Sequence, residues 1–204
     1  MSVIVLAEHE QGVFKKKTFE SVQYAAGIAK QLGGNAVALV LGTAPADALA
    51  QLGAYGATKV LHVANAKLDN LDARAYSKAI VAAAEKEAAK VIVTLHDVTG
   101  KAVAPRVAAK MKAGLVAGAI SAPDTSNGFS LKKAVFSGKA FSYININSDV
   151  KVVTLMPNTF PVTKGEGSAT VETLDVAFDD KDFGIQVKEV SKVTGEVPLA
   201  EAEL

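Results

Sequence analysis

The sequence predicts an α/β fold: a Rossmann-like, doubly wound, mostly parallel sheet in a three-layer α/β/α sandwich, with an antiparallel extension. Three observations predict it. Four short apolar runs, Val3–Ala7, Ala36–Leu41, Lys59–Val63 and Val91–Leu95, have the length and β-branched content of buried strands. Each precedes a stretch with helical periodicity. That alternation is satisfied by parallel strands joined through right-handed helical crossovers. Beyond Leu115 the helical stretches stop, and strand-like runs follow one another across short polar spacers, which reads as antiparallel hairpins.

The elements follow in order. After Val3–Ala7, the segment Glu8–Lys17 reads as a polar loop containing Gly12 and three successive lysines. Thr18 is the expected N-cap of the first helix, with Phe19, Val22, Ala26 and Ala29 on its apolar face. Gly33-Gly34 stops that helix, Gly33 being suited to a left-handed C′ position. Strand Ala36–Leu41 leads through the turn Gly42–Asp47 to a short helix, Ala46–Leu52, ended by Gly53. Strand Lys59–Val63 precedes a long helix, Asp72–Ala89, whose alanine content gives high helix propensity and close approach to a sheet. Val91–Leu95 (VIVTL) is the strand around which the rest is arranged. A polar loop, His96–Gly100, follows it, then a helix, Gly100–Lys112. Thr99 is the expected cap of that helix, and Pro105 is close enough to its start to be tolerated. Strand followed by loop and helix N-terminus presents free backbone N–H groups at the carboxyl edge of a sheet.

The second half is expected to be mainly β. Leu115–Ala122 is apolar and glycine-rich. Phe129–Phe136, Lys139–Ile146 and Val150–Leu155 follow, separated by Ser137-Gly138 and Asn147-Ser148-Asp149. Residues 157–168 read as a loop, and Thr170–Phe178 with Ile185–Val190 as one more strand pair. Residues 1–190 are expected to form a single α/β domain, and residues 191–204, acidic and without a visible apolar partner, a connector. There is no internal repeat of fixed period.

Bulk properties exclude several functions. With 22 basic and 21 acidic residues the net charge is +1, too small for broad nucleic-acid binding. Cysteine is absent, which removes disulfides, thiolate chemistry and cysteine-held metal clusters. No apolar run reaches the roughly 18–20 residues of a membrane span. The opening lacks a basic region and a small-residue cleavage site, so a cytoplasmic location is expected.

The polar residues offer few recognisable chemistries. Thr99-Gly100-Lys101 looks like the end of a phosphate loop, but Leu95 stands where the motif needs glycine and Ala102 where it needs Ser or Thr. After the first strand, Glu8-His9-Glu10 replaces the glycines of a dinucleotide fingerprint, and acidic groups there repel phosphate. The histidines His9, His62 and His96 have no metal-ligand spacing. If the first and fourth strands are neighbours, Glu8–Glu10 and His96–Asp97 converge at one edge. Their types form no catalytic set, and they also read as ordinary loop-end residues. Arg106 reads either as an anion-binding or interface residue or as half of an ion pair. Phe136, Phe141, Tyr143 and Phe160 read as core or interface rather than as a base-stacking platform, because no basic stripe accompanies them. No catalytic, cofactor-binding or metal-binding residue is assigned, and the chain is not read as an enzyme.

Over nearly its whole length the chain resembles the amino-terminal domain of the α subunit of electron transfer flavoproteins. The opening VIVLAEHEQGVFKKKTFESVQYAAGIAKQLGG is similar to that family's start. GAYGATKVLHVAN resembles its turn into the third strand. Thr99-Gly100-Lys101 with Pro105-Arg106-Val107-Ala108 is similar to its TGK…PR-x-A helix. Val135–Ala140 (VFSGKA) resembles its Tyr-Ala-Gly-Asn-Ala block, and Gly195–Leu199 (GEVPL) the approach to a second domain. Lys133-Ala134, Ser121-Ala122 and Met156 depart from its pattern. The resemblance implies a heterodimer with a β subunit, carrying electrons from flavin dehydrogenases, as in fatty acid β-oxidation, to a quinone oxidoreductase or other respiratory-chain acceptor. It implies FAD on a carboxyl-terminal α domain and AMP in the β subunit. The FAD-holding Ser-Arg and Gly-Gln-Thr-Gly motifs are missing, so no FAD is expected on this chain alone. The fold alone leaves two other readings open: a small adenine-nucleotide-binding module of universal-stress-like type, and a metal-dependent enzyme using His9 and His96.

Overall fold

The computed structural model describes residues 1–191. Strands β1 (Ser2–Leu6), β2 (His9–Glu10) and β3 (Val13–Phe14) precede helix α1 (Lys16–Gln31). Strand β4 (Asn35–Leu41), helix α2 (Ala46–Gln51), strand β5 (Lys59–Val63) and helix α3 (Ala73–Lys86) follow. Then come β6 (Val91–Leu95), α4 (Val98–Met111), β7 (Gly114–Ala119), β8 (Ser130–Val135), β9 (Ala140–Asn145), β10 (Lys151–Leu155) and β11 (Thr170–Thr173).

Nine strands form one sheet in the order β11-β5-β4-β1-β6-β10-β7-β8-β9. Every neighbouring pair is parallel except β7–β8 and β8–β9. The fold is the expected three-layer, Rossmann-like sandwich with an antiparallel extension. Alternation along β1 sorts its side chains to two buried layers. Val3 and Val5 pack with Val22, Ala25 and Ile28 of α1. Ile4 and Leu6 pack with Ala79, Ile80 and Ala83 of α3 and Val103 and Val107 of α4. Burial on both faces explains why β1, β4 and β6 read as continuous apolar runs.

Several local expectations need correction. Lys15, not Thr18, is the N-cap of α1, without a side-chain cap bond. The Thr18 hydroxyl instead donates to the Glu8 carbonyl at 2.6 Å, tying the helix to the end of β1. Asp97, not Thr99, caps α4 by accepting from the Gly100 N–H at 3.1 Å. A carboxylate two residues earlier in the loop reaches the N3 donor, so the helix opens at Val98 and Pro105 lies in its middle. Gly33 does adopt the left-handed C′ conformation, at φ 63°.

The β half differs more. β8 and β9 form the expected hairpin, but β10 does not extend it. It runs parallel between β6 and β7, three places in from β9. Three strand spacings are about 14 Å, which the segment 146–150 spans in extended form. The Ser148 hydroxyl fastens the crossing, accepting from the Gly114 N–H at 2.7 Å and donating to the Val150 carbonyl at 2.6 Å. Gly114 permits it, because a Cβ there would lie 2.6 Å from the Ile146 Cγ2. Of the last expected pair only β11 forms, parallel to β5; Ile185–Val190 is irregular. Beyond Ser191, the expected connector 191–204 lies outside the described residues.

Candidate functional site

The carboxyl edges of β1 and β6 meet where the chain turns to opposite sides of the sheet, the place where doubly wound folds bind ligands. A cavity of about 280 Å³ opens there, lined among others by Leu6, Glu8, Lys17, Asp69, Tyr76 and Asp97. Glu8 continues from β1, and Asp97 sits between β6 and α4. The two carboxylates are neighbours, and the Lys17 ammonium lies 3.2 Å from Asp97 Oδ2. Burial pushes the Glu8 carboxyl up to about 7; the Asp97 charge adds to this, and the Thr99 hydroxyl and Lys17 oppose it. Glu8 Oε1 is buried without a hydrogen-bond partner. Tyr76 donates to the Leu68 carbonyl at 2.7 Å, and burial raises its phenol as well.

The expected convergence is therefore present for Glu8, His9, Glu10 and Asp97, which all line the cavity, but His96 does not share it. His9 Nδ1 accepts from the Gly12 N–H at 3.0 Å, which leaves Nε2–H to donate to the Leu41 carbonyl at 2.9 Å. Both ring nitrogens are thus committed to backbone, and the ring packs edge-on against Phe14. His62 Nε2 is 2.8 Å from the Gly42 carbonyl. His96 points away from the cavity towards β10, with Nδ1 2.7 Å from the Thr154 hydroxyl, which also accepts from the Gly118 N–H at 2.8 Å. Burial, with Lys101 and Lys133 nearby, lowers the His96 imidazolium below its usual range despite Asp97. His9 and His96 therefore form no shared metal site.

Thr99-Gly100-Lys101 lies in the first turn of α4. Gly100 is there for packing: a Cβ would fall 1.6 Å from the Leu95 carbonyl oxygen. Arg106 is exposed on the outer side of α4. Phe160 packs against the Tyr24 ring, with centroids 5.2 Å apart. Phe136, Phe141 and Tyr143 are exposed on the β8–β9 hairpin.

Two carboxylates went unnoticed in the sequence. Glu20, 2% exposed, accepts backbone N–H bonds from Asn158, Thr159 and Phe160 at 2.7–2.8 Å. Asp72, 4% exposed, accepts from Arg74, Gly184 and Ile185. Their partners on residues 158–160 and 184–185 are more than 100 positions away, so spacing carries no signal of them.

The cavity edge does not fit a flavin dinucleotide. A pyrophosphate needs the free N–H groups of a helix N-terminus. At α4 the Asp97 carboxylate occupies that position, with Glu8 beside it.

Residues 3–179 match the family model described as electron transfer flavoprotein domain. The chain belongs to this family. It is 29% identical over 204 residues to the electron transfer flavoprotein subunit alpha of Bacillus subtilis, covering 99% of this chain and 62% of that protein. It is 26% identical over 201 residues to the corresponding subunit of Syntrophomonas wolfei, with 98% and 62% covered. A subunit of the lactate dehydrogenase (NAD(+),ferredoxin) of Acetobacterium woodii is 26% identical over 206 residues, with 98% and 49% covered. The chain thus spans less than two thirds of the length of these relatives. Among the described residues no helix is long and apolar enough to cross a membrane.

Proposed function

We propose that this polypeptide is the amino-terminal scaffold domain of an electron transfer flavoprotein α subunit, working in the cytoplasm as part of a heterodimer with a β subunit. Residues 1–190 are its domain, and residues 191–204 lead toward a flavin domain. The redox chemistry belongs to an FAD on that second domain, with AMP in the β subunit. The heterodimer takes electrons from flavin dehydrogenases and passes them to a respiratory-chain acceptor. Two relatives that are electron transfer flavoprotein α subunits, each matched over 62% of its length, support this reading.

The observation that carries it within this chain is the acidic edge at β1 and β6. A phosphate placed against Glu8 and Asp97 meets carboxylates where the fold would otherwise offer N–H donors. The same observation disfavours the adenine-nucleotide module. The chain's contribution is then mechanical: a sheet whose central strands are buried on both faces holds its partners in fixed relation.

Flavin and nucleotide titration tests the reading. The purified 204-residue chain is expected to stay colourless after incubation with FAD and gel filtration, and to show no thermal shift with millimolar AMP or ATP. An equimolar yellow complex of the chain alone, or saturable AMP binding lost in Asp97→Ala, overturns it.

A further inference from the structure

The two edges of the sheet are finished differently. At one end β11 carries Glu172, which is ion-paired with Lys59 and Lys86. A charged edge of this kind resists further strand pairing. At the other end β9 (AFSYIN) has no charge and no proline, and β8 pairs with it residue for residue without a bulge. No described strand covers its outer side.

The hydrogen-bond phase shows what that edge presents. Ile146 donates to the Phe129 carbonyl across the β8–β9 ladder. By antiparallel alternation, Ile144, Ser142 and Ala140 also direct their backbone groups toward β8. Phe141 and Tyr143 therefore direct theirs outward. The same two residues are 55% and 72% exposed on a face that no described helix covers, and Phe136, 80% exposed, stands at the turn. Phe136 and Ser137 hold left-handed backbone conformations at φ 51° and 53°. For a bulky aromatic this is strained, and no burial within the monomer offsets it.

Charge marks the same hairpin. Residues 125–148 contain Lys132, Lys133 and Lys139 and no acidic residue, while the rest of the chain carries a small acidic excess. The Lys132 ammonium lies 3.9 Å from the Phe141 ring centroid, on the exposed face.

We infer that β9 is a docking edge for another protein subunit, which adds an extended strand beside Phe141 and Tyr143 and brings carboxylates to Lys132 and Lys139. This deepens the proposed function and rests on the heterodimer reading. Free N–H and C=O groups on every second residue match a peptide strand, with aromatic side chains as anchors and lysines selecting an acidic partner. A second copy meets this edge with like charge. A nucleic-acid phosphate backbone offers acceptors to the N–H groups but no donors for the alternating C=O groups.

The test is binding of the full chain to the purified β subunit by calorimetry at low and high salt. The unsubstituted chain is expected to bind, with affinity falling as salt rises. Phe141→Glu with Tyr143→Glu is expected to weaken binding at least about 30-fold, with thermal unfolding unchanged. Lys132→Glu with Lys139→Glu reverses the two charges, also removing the Lys132 contact to the Phe141 ring, and is expected to remove most of the salt dependence. Unchanged affinity in both double variants overturns the docking edge and leaves the heterodimer standing. No binding by the unsubstituted chain overturns both. Dimerisation of the chain alone, or binding to a single-stranded oligonucleotide, that the same substitutions abolish assigns the edge to another occupant and overturns the acidic subunit.

Discussion

A buried carboxylate at Glu20 replaces a missing piece of secondary structure. Residues 158–160 follow β10 without helix or strand, and three of their N–H groups end on one side chain of α1. Charged acceptors make the stronger hydrogen bonds, and a buried donor left unpaired loses its hydration as well. Glu20→Ala is therefore expected to lower unfolding free energy by about 3 kcal/mol. Glu20→Gln, which keeps one oxygen acceptor, is expected to lower it less. Urea denaturation of the two variants checks the order, and an equal loss would remove the role assigned to the charge. Glu8 works in the opposite sense. Its folded pKa of about 7 lies above the ordinary 4.5, so between these values the folded chain binds more protons than the unfolded one. Its contribution to stability is fully present below about 4.5 and is lost as pH rises through 7. Relative to the parent, Glu8→Gln is expected to be neutral near pH 4 and more stable by up to about 3 kcal/mol at pH 8. A pH-independent difference between the two would contradict the buried, destabilised carboxylate. Residue types alone did not reveal these roles. Asp97 and Thr99 are both good caps, and only the loop geometry selects Asp97, whereas Glu20 and Asp72 find partners through tertiary folding.

At the scale of elements, the parallel half was legible because burial on both faces leaves a local signature. Each of β1, β4, β5 and β6 is a short apolar run, and each crossover is a helix whose apolar stripe faces the sheet. The β half was legible only as strands. Sequence neighbours across a short spacer normally pair, but the spacer 146–150 is long enough to pass over β7 instead. The apolar character of Val152, Val153 and Leu155, all fully buried, fits the central place that β10 takes. The small residue beneath the crossing is then a structural requirement. In Gly114→Ala the new Cβ meets Ile146 Cγ2 at 2.6 Å and the Ser148 hydroxyl at 2.9 Å. The substitution is expected to destabilise the fold by about 1–3 kcal/mol. Amide exchange should show the loss concentrated in β7 and in the 146–150 crossing, with β4 and β5 less affected. A uniform or absent effect would mean that the crossing does not depend on this close approach.

Across the whole molecule, the two sheet edges lie about eight strand spacings, or roughly 38 Å, apart, and they are put to different uses. The hairpin edge carries exposed aromatics and, within residues 125–148, lysines without an acidic residue. At the other edge the chain folds back upon itself: Leu174 is buried with α3, Phe178 and Phe183 pack together, and Lys78 pairs with Asp182 at 2.6 Å. Asp72 locks this return, because one carboxylate caps α3 through Arg74 and holds Gly184 and Ile185 at 2.7 and 3.0 Å. Asp72→Ala removes both functions at once, with an expected loss of about 2 kcal/mol from the cap and the buried donors. The segment 180–190 should then open locally at a smaller free-energy cost than the sheet. Limited trypsin digestion is expected to cut after Lys181 and Lys188 faster than in the parent, while fragments containing β1, β6 and β10 stay intact. Because the two edges are so far apart, the same variant is expected to keep the parent's affinity at the β9 edge. If Asp72→Ala instead weakened docking as much as the Phe141 and Tyr143 substitutions do, the two edges would not be independent, and a rigid scaffold serving separate partners would be the wrong description.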